Sequence, residues 1–132
     1  MSAPPLRRLF VDDAVYFCKT EHRHEPPEDV ATPQGKPYRC RELFTAYLEG
    51  YRACPLRVWF DDSPGVGAGY PSSGIVEVDA TGERYNLHAP RLWVALLREA
   101  VARGWRPATE SHPFVVSDGL EFARKAVPPV SR

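Results

Sequence analysis

Apolar positions along most of this chain fall in short runs separated by turn formers, and near the C-terminal third they recur instead at helical spacing. Leu6–Val11 and Ala14–His22 are β-rich runs on either side of Asp12-Asp13, which predicts an N-terminal hairpin. Between Arg23 and Pro37, five proline or glycine positions (Pro26, Pro27, Pro33, Gly35, Pro37) stand among charged residues and predict a mobile surface loop over 23–37. Arg41–Tyr51 fits two patterns. Leu43, Phe44, Tyr47, Leu48 and Tyr51 make a helical stripe, whereas the aromatic and β-branched content of Phe44-Thr45-Ala46-Tyr47 suits a strand, the reading preferred here. Pro55–Phe60 reads as a strand ended by Asp61-Asp62-Ser63-Pro64-Gly65. A glycine-rich stretch then leads to the strand Ile75–Asp79, which Thr81-Gly82 turns back into Glu83–His88.

Pro90 suits a first helical position, where its missing N–H has no partner in any case. Leu92, Trp93, Leu96, Leu97, Ala100 and Val101 then form one apolar stripe, and Gly104 ends it. Trp105 is placed to fold back on the last turn. Pro113–Val116 predicts a short strand, and Asp118 with Glu121 has capping-box spacing for a short terminal helix stopped by Pro128-Pro129. Strands first and helices later define an α+β fold. The expectation is a mainly antiparallel sheet of about five to seven short strands, with one long amphipathic helix packed on it and a short C-terminal helix. It forms a single domain over 1–132 with a tail at 127–132.

With 132 residues and 43% hydrophobic content, a core is affordable without disulfide or metal staples. No apolar run approaches the length of a bilayer span, and the start lacks a secretory signal, so the chain is expected to be cytoplasmic with no membrane partner. Seventeen basic residues balance seventeen acidic ones, which argues against a general nucleic-acid binder. All basic residues except Lys19, Lys36 and Lys125 are Arg; with single Ile, Asn and Met residues, this bias reads as a GC-rich, bacterial genome. Cys18, Cys40 and Cys54 include no C-x-x-C and suit spectator thiols in a reducing compartment.

The sharpest chemical feature is His22-Arg23-His24-Glu25. Residues two apart on a strand share a face about 6.6 Å apart, so both imidazoles can address one transition metal. Cys18 shares that face but lies ~13 Å from His22 on a straight strand, too far for a common ion. His88, at a strand end, is the candidate third ligand, and His22, His24 and His88 are thus a metal-site alternative for a small metal-dependent enzyme. The glycine-rich segment fails as a phosphate loop because a strand, not a helix with Lys-Ser/Thr, follows it. Gly69–Gly74 has the wrong spacing for a nucleophile elbow, and no local geometry unites Cys or Ser with His and an acid. No catalytic residue and no cofactor are therefore assigned.

Arg39, Arg41, Arg52 and Arg57 interleave with Tyr47 and Tyr51, and on a straight strand Arg39, Arg41 and Tyr47 share a face. Arg and Tyr are enriched in protein interfaces, where they give large contact area with directed hydrogen bonds. The leading expectation is accordingly a non-enzymatic domain, accessory or immunity-type, that binds an unidentified protein partner through these residues as a monomer or small homo-oligomer. Base stacking on the same face is the third alternative.

Glu21-His22-Arg23-His24, Pro55–Phe60, Gly69–Gly74, Asn86-Leu87-His88-Ala89-Pro90 and Arg103-Gly104-Trp105 together resemble a group of small bacterial proteins from GC-rich genomes that has no known activity. The resemblance spans most of the chain; its most distinctive part is N-L-H-x-P leading into a helix that ends R-G-W. It implies a single intact bacterial domain and a strand over Leu43–Tyr47, and it transfers no function.

Overall fold

Asp12 and Asp13 both adopt left-handed backbone, with φ of 49° and 65°, in the two-residue turn that joins the first two strands. Such a turn matches the right-handed twist of the strands it joins. A computed structural model describes residues 6–25, 38–69, 72–109 and 111–127. Its elements are β1 (Arg7–Val11), β2 (Ala14–Glu25), β3 (Arg39–Leu48), β4 (Leu56–Asp61), β5 (Val66–Ala68), β6 (Ile75–Val78), β7 (Arg84–Asn86), α1 (Pro90–Ala102), β8 (Phe114–Val116) and α2 (Gly119–Ala126).

The α+β class and the mainly antiparallel pairing hold, but the single sheet does not. Among the described residues, five strands in the order β1-β2-β3-β4-β8 form one sheet and β5-β6-β7 form a second, with only β4 and β8 parallel. The chain leaves the first sheet through a turn at Ser63–Gly65, where Ser63 bridges Val66 and Gly65 has a φ of 79°. Asp62 ties the sheets together there: Cys40 N–H donates to one carboxylate oxygen at 3.3 Å and Ala68 N–H to the other at 2.7 Å. The expected long helix is α1, at 13 residues of ordinary length.

The expected loop starts later than its charge content suggests. Residues 23–25 continue β2, because Glu25 pairs in register with Arg39 and its carboxylate accepts from Arg41 at 3.2 Å. The rest of that loop, 26–37, and residues 128–132 of the tail lie outside the described residues. The ambiguous segment 41–51 resolves as strand up to Leu48, followed by a turn in which Gly50 has a φ of 89°.

Strand parity sorts the large sheet. Tyr16, Cys18, Phe44, Ala46, Leu56, Val58 and Phe60 face the core with Leu92, Trp93, Leu96, Leu97 and Ala100 of α1. Val101, expected in that stripe, is 49% exposed and stands outside it. Trp105 does fold back: its backbone N–H reaches Ala100 O at 2.9 Å and its indole N–H reaches Cys54 O at 3.1 Å, with the ring buried. Leu87 O, in the lead into α1, accepts from both Thr20 Oγ1 at 2.6 Å and Trp93 Nε1 at 2.7 Å, which docks the helix start on β2. Asp118 caps α2 by accepting from Glu121 N–H. No helix among the described residues is long and apolar enough to cross a membrane.

Glu83, just before β7, accepts hydrogen bonds from Arg124 of α2, Thr81 and Tyr85, each at 2.9 Å. These donors, Arg124 foremost, hold its carboxyl at about 2 against an ordinary 4.5. A depressed carboxylate stabilises the fold above its unfolded value, and that contribution disappears as pH falls through the folded one. Thermal melts should therefore show wild type more stable than Glu83→Gln at neutral pH, with the difference shrinking between pH 4.5 and 2. A gap that is constant across this window would contradict the assignment.

Candidate metal centre

His22 and His24 stand on the core-facing side of β2, beyond the point where α1 covers the sheet. Antiparallel register sets Cys40 opposite His24 and Glu42 opposite His22. Directly opposed residues have Cβ atoms about 4.5–5.5 Å apart, so pairing in this register gathers two imidazoles, a thiol and a carboxylate at one corner. One ligand atom from each of His22, His24 and Cys40 lies within 4.8 Å of the others.

Burial is graded across the cluster. Cys40 is 1% exposed and Glu42 fully buried, while His22 keeps 22% of its side chain in solvent and His24 is exposed. The imidazoles meet edge to face, their centroids 4.5 Å apart, and His24 stacks on Tyr38 at 4.2 Å. Glu42 Oε1 lies 2.9 Å from His22 Nδ1 and accepts the Gly74 N–H; Oε2 is buried with no hydrogen-bond partner. With Nδ1 held by Glu42, Nε2 is the His22 nitrogen left for a metal. A carboxylate behind a ligating histidine fixes ring orientation and raises ligand basicity.

Gly69 and Gly74, two glycines of the segment read from sequence as a bend, wall this corner. Gly69 has a φ of 85°, and a Cβ there would overlap both Glu42 Oε1 and His22 Nδ1. Gly74 donates to Glu42 on one side and backs onto the His88 ring on the other. His88 itself lies outside the group that converges: it is exposed, its Nε2 is 3.3 Å from Ser73 O, and its backbone N–H bonds Asn86 Oδ1. Cys18 lies in the core, where burial pushes its thiol up to about 12, and Cys54 is likewise buried.

Of the residues expected to bind a partner, Arg39, Arg41, Tyr47 and Arg57 occupy the opposite face of the large sheet, while Tyr51 and Arg52 sit in the turn after β3. Arg41 is committed within the molecule: it bonds Asp61 and Glu25 and lies 4.0 Å from the centroid of Trp59. Arg39 reaches Glu25 at 3.4 Å, and Arg52 packs over Tyr47.

Sequence reasoning found both histidines and missed Cys40 and Glu42. The signal was available as parity, since even-numbered positions of both strands share one face, but the register across residues 26–37 cannot be read from spacing. Comparison with family models, with curated proteins and with solved structures finds no match for this chain.

Alanine at Gly69 tests the wall. Gly82 has a similar φ of 75° but open space around it, so Gly82→Ala reports the backbone cost alone, roughly 1–2 kcal/mol. Gly69→Ala should destabilise by about 1–3 kcal/mol more, from overpacking against His22 and Glu42, as measured by urea unfolding. Equal losses in the two variants would mean that Gly69 does not press on the pair.

Proposed function

We propose that this chain is a metal-binding domain that holds one divalent transition-metal ion on His22, His24 and Cys40. The observation that carries the reading is the convergence of two imidazoles and a thiol to within 4.8 Å. Donors bound to a tetrahedral zinc stand about 3.3–3.8 Å apart, given metal–ligand lengths of 2.0–2.3 Å, so roughly 1 Å of side-chain adjustment closes the site. Imidazole with thiolate suits zinc, cobalt, nickel or copper and disfavours magnesium and calcium, which prefer oxygen. Glu42 supports the same reading, as the carboxylate that orients His22 and as a buried group with one oxygen still without a donor.

A cysteine nucleophile activated by histidine is the competing use of these residues. It fits less well, because Cys40 is 1% exposed and a substrate carbon cannot reach its sulfur, whereas an ion approaches from the exposed imidazole side. Cys40 and Glu42 lie outside the main apolar cluster that packs α1 on the sheet, so the packing of that cluster does not run through the ion.

Protein purified without a histidine tag should bind one Co2+ or Zn2+ per chain. The Co2+ form should show a thiolate-to-metal band that Cys40→Ser removes and that Cys18→Ser and Cys54→Ser leave in place. Glu42→Gln should weaken binding about 10–100-fold while keeping the band. Chelation should lower the melting temperature only by the binding contribution, with a cooperative transition retained. A band lost with Cys18 or Cys54 instead, or no band at all, refutes the reading.

A second reading is favoured by the other face of the sheet. Lys19, Arg23, Arg57, Thr45 and Trp59 border a shallow depression of about 340 Å3 on the side that neither described helix covers. Arg57 is exposed there, and an interface built on Arg and Trp fits such a surface. A protein partner isolated from the native host should lose binding to Arg57→Glu and keep binding to Arg91→Glu; equal binding to both removes this reading.

A further inference from the structure

Resting on the metal reading, we infer that the ion keeps an exchangeable fourth position, open to solvent, which takes a small monodentate ligand and makes the centre a Lewis acid. Among the described residues only three donors converge. Among the described residues, the two other acids on their side of the sheet stand outside that group: Glu42 commits Oε1 to His22 and Gly74 and its Oε2 does not join the three converging donors, and Asp62 accepts from the Cys40 and Ala68 backbone N–H groups. Parity turns Glu21, Glu25 and Asp61 to the opposite face, where Glu21 meets Lys19, and Glu25 and Asp61 meet Arg41.

The gradient of exposure gives the fourth position its direction. Cys40 and Glu42 form the floor and the imidazoles the rim, so the hemisphere away from the thiol opens past His24. Structural zinc sites are closed by four protein ligands, whereas catalytic ones have three and hold water or substrate in the fourth position. Two neutral imidazoles and one thiolate leave a divalent ion with a charge of +1. The position therefore holds water in the absence of other ligands and exchanges it for a small anion or a neutral nitrogen donor, with no change in the three protein ligands.

The test uses the full-length Co2+ protein and azide, with imidazole as a neutral competitor. Azide should shift the visible d–d bands in a saturable manner with one azide per cobalt, the thiolate band should persist, and imidazole should compete. Visible bands that do not respond to saturating azide while the thiolate band is present would show that the protein itself closes the fourth position, and would overturn the inference but not the metal reading. Loss of the thiolate band on adding azide would also overturn it, since azide would then be displacing Cys40. Absence of that band before any azide is added sinks the metal reading, and the inference with it.

Discussion

The antiparallel register of β2 against β3 is the constraint on which the rest depends. It sets His24 against Cys40 and His22 against Glu42, and a slip of one residue would send both imidazoles to the other face of the sheet. Several independent interactions resist that slip. Phe44 and Ala46 must stay toward Trp93 and the core, while Arg41 is held on the outer face by Glu25, Asp61 and the Trp59 ring. The donor cluster is therefore a by-product of packing further along the same strands, and its precision comes from there.

The second sheet completes what the first begins. A carboxylate as buried as Glu42 is costly unless donors surround it, and two elements supply them: His22 from β2 and the Gly74 N–H from just before β6. Gly69 must lack a side chain for the wall to approach closely enough. Asp62 repeats the arrangement one strand away, joining Cys40 of β3 to Ala68 of β5. Two buried acids thus bind the small sheet to the large one along the border of the cluster.

Much of this was legible along the chain, and the exceptions have physical causes. Local signals sufficed for the Asp12-Asp13 turn, Pro90 at the start of α1, the Asp118 cap and the return of Trp105, because each depends on neighbours within a few residues. The split into two sheets was not legible, since a turn such as Ser63–Gly65 serves equally well within one sheet or between two. Val101 was misplaced because it borders the apolar stripe, and the helix axis decides which side of that border is covered. His22 and His24 were found through strand period alone. Cys40 required cross-strand register, which is set by packing and not by spacing, and His88 looked equivalent to it only because a strand end says nothing about direction.

The helix α2 is attached in two physically different ways. Phe122 is buried in the core and Gly119 presses on Trp59 O and Phe60, contacts that dissolved ions leave untouched. Its link to the small sheet runs through Arg124 and Glu83, which retain 35% and 23% side-chain exposure. Mobile ions screen such a pair strongly once the Debye length falls to a few ångströms, near 1 M. Ionic strength therefore acts selectively on this molecule: concentrated salt weakens the tie between the small sheet and the C-terminal helix while leaving that helix seated in the core.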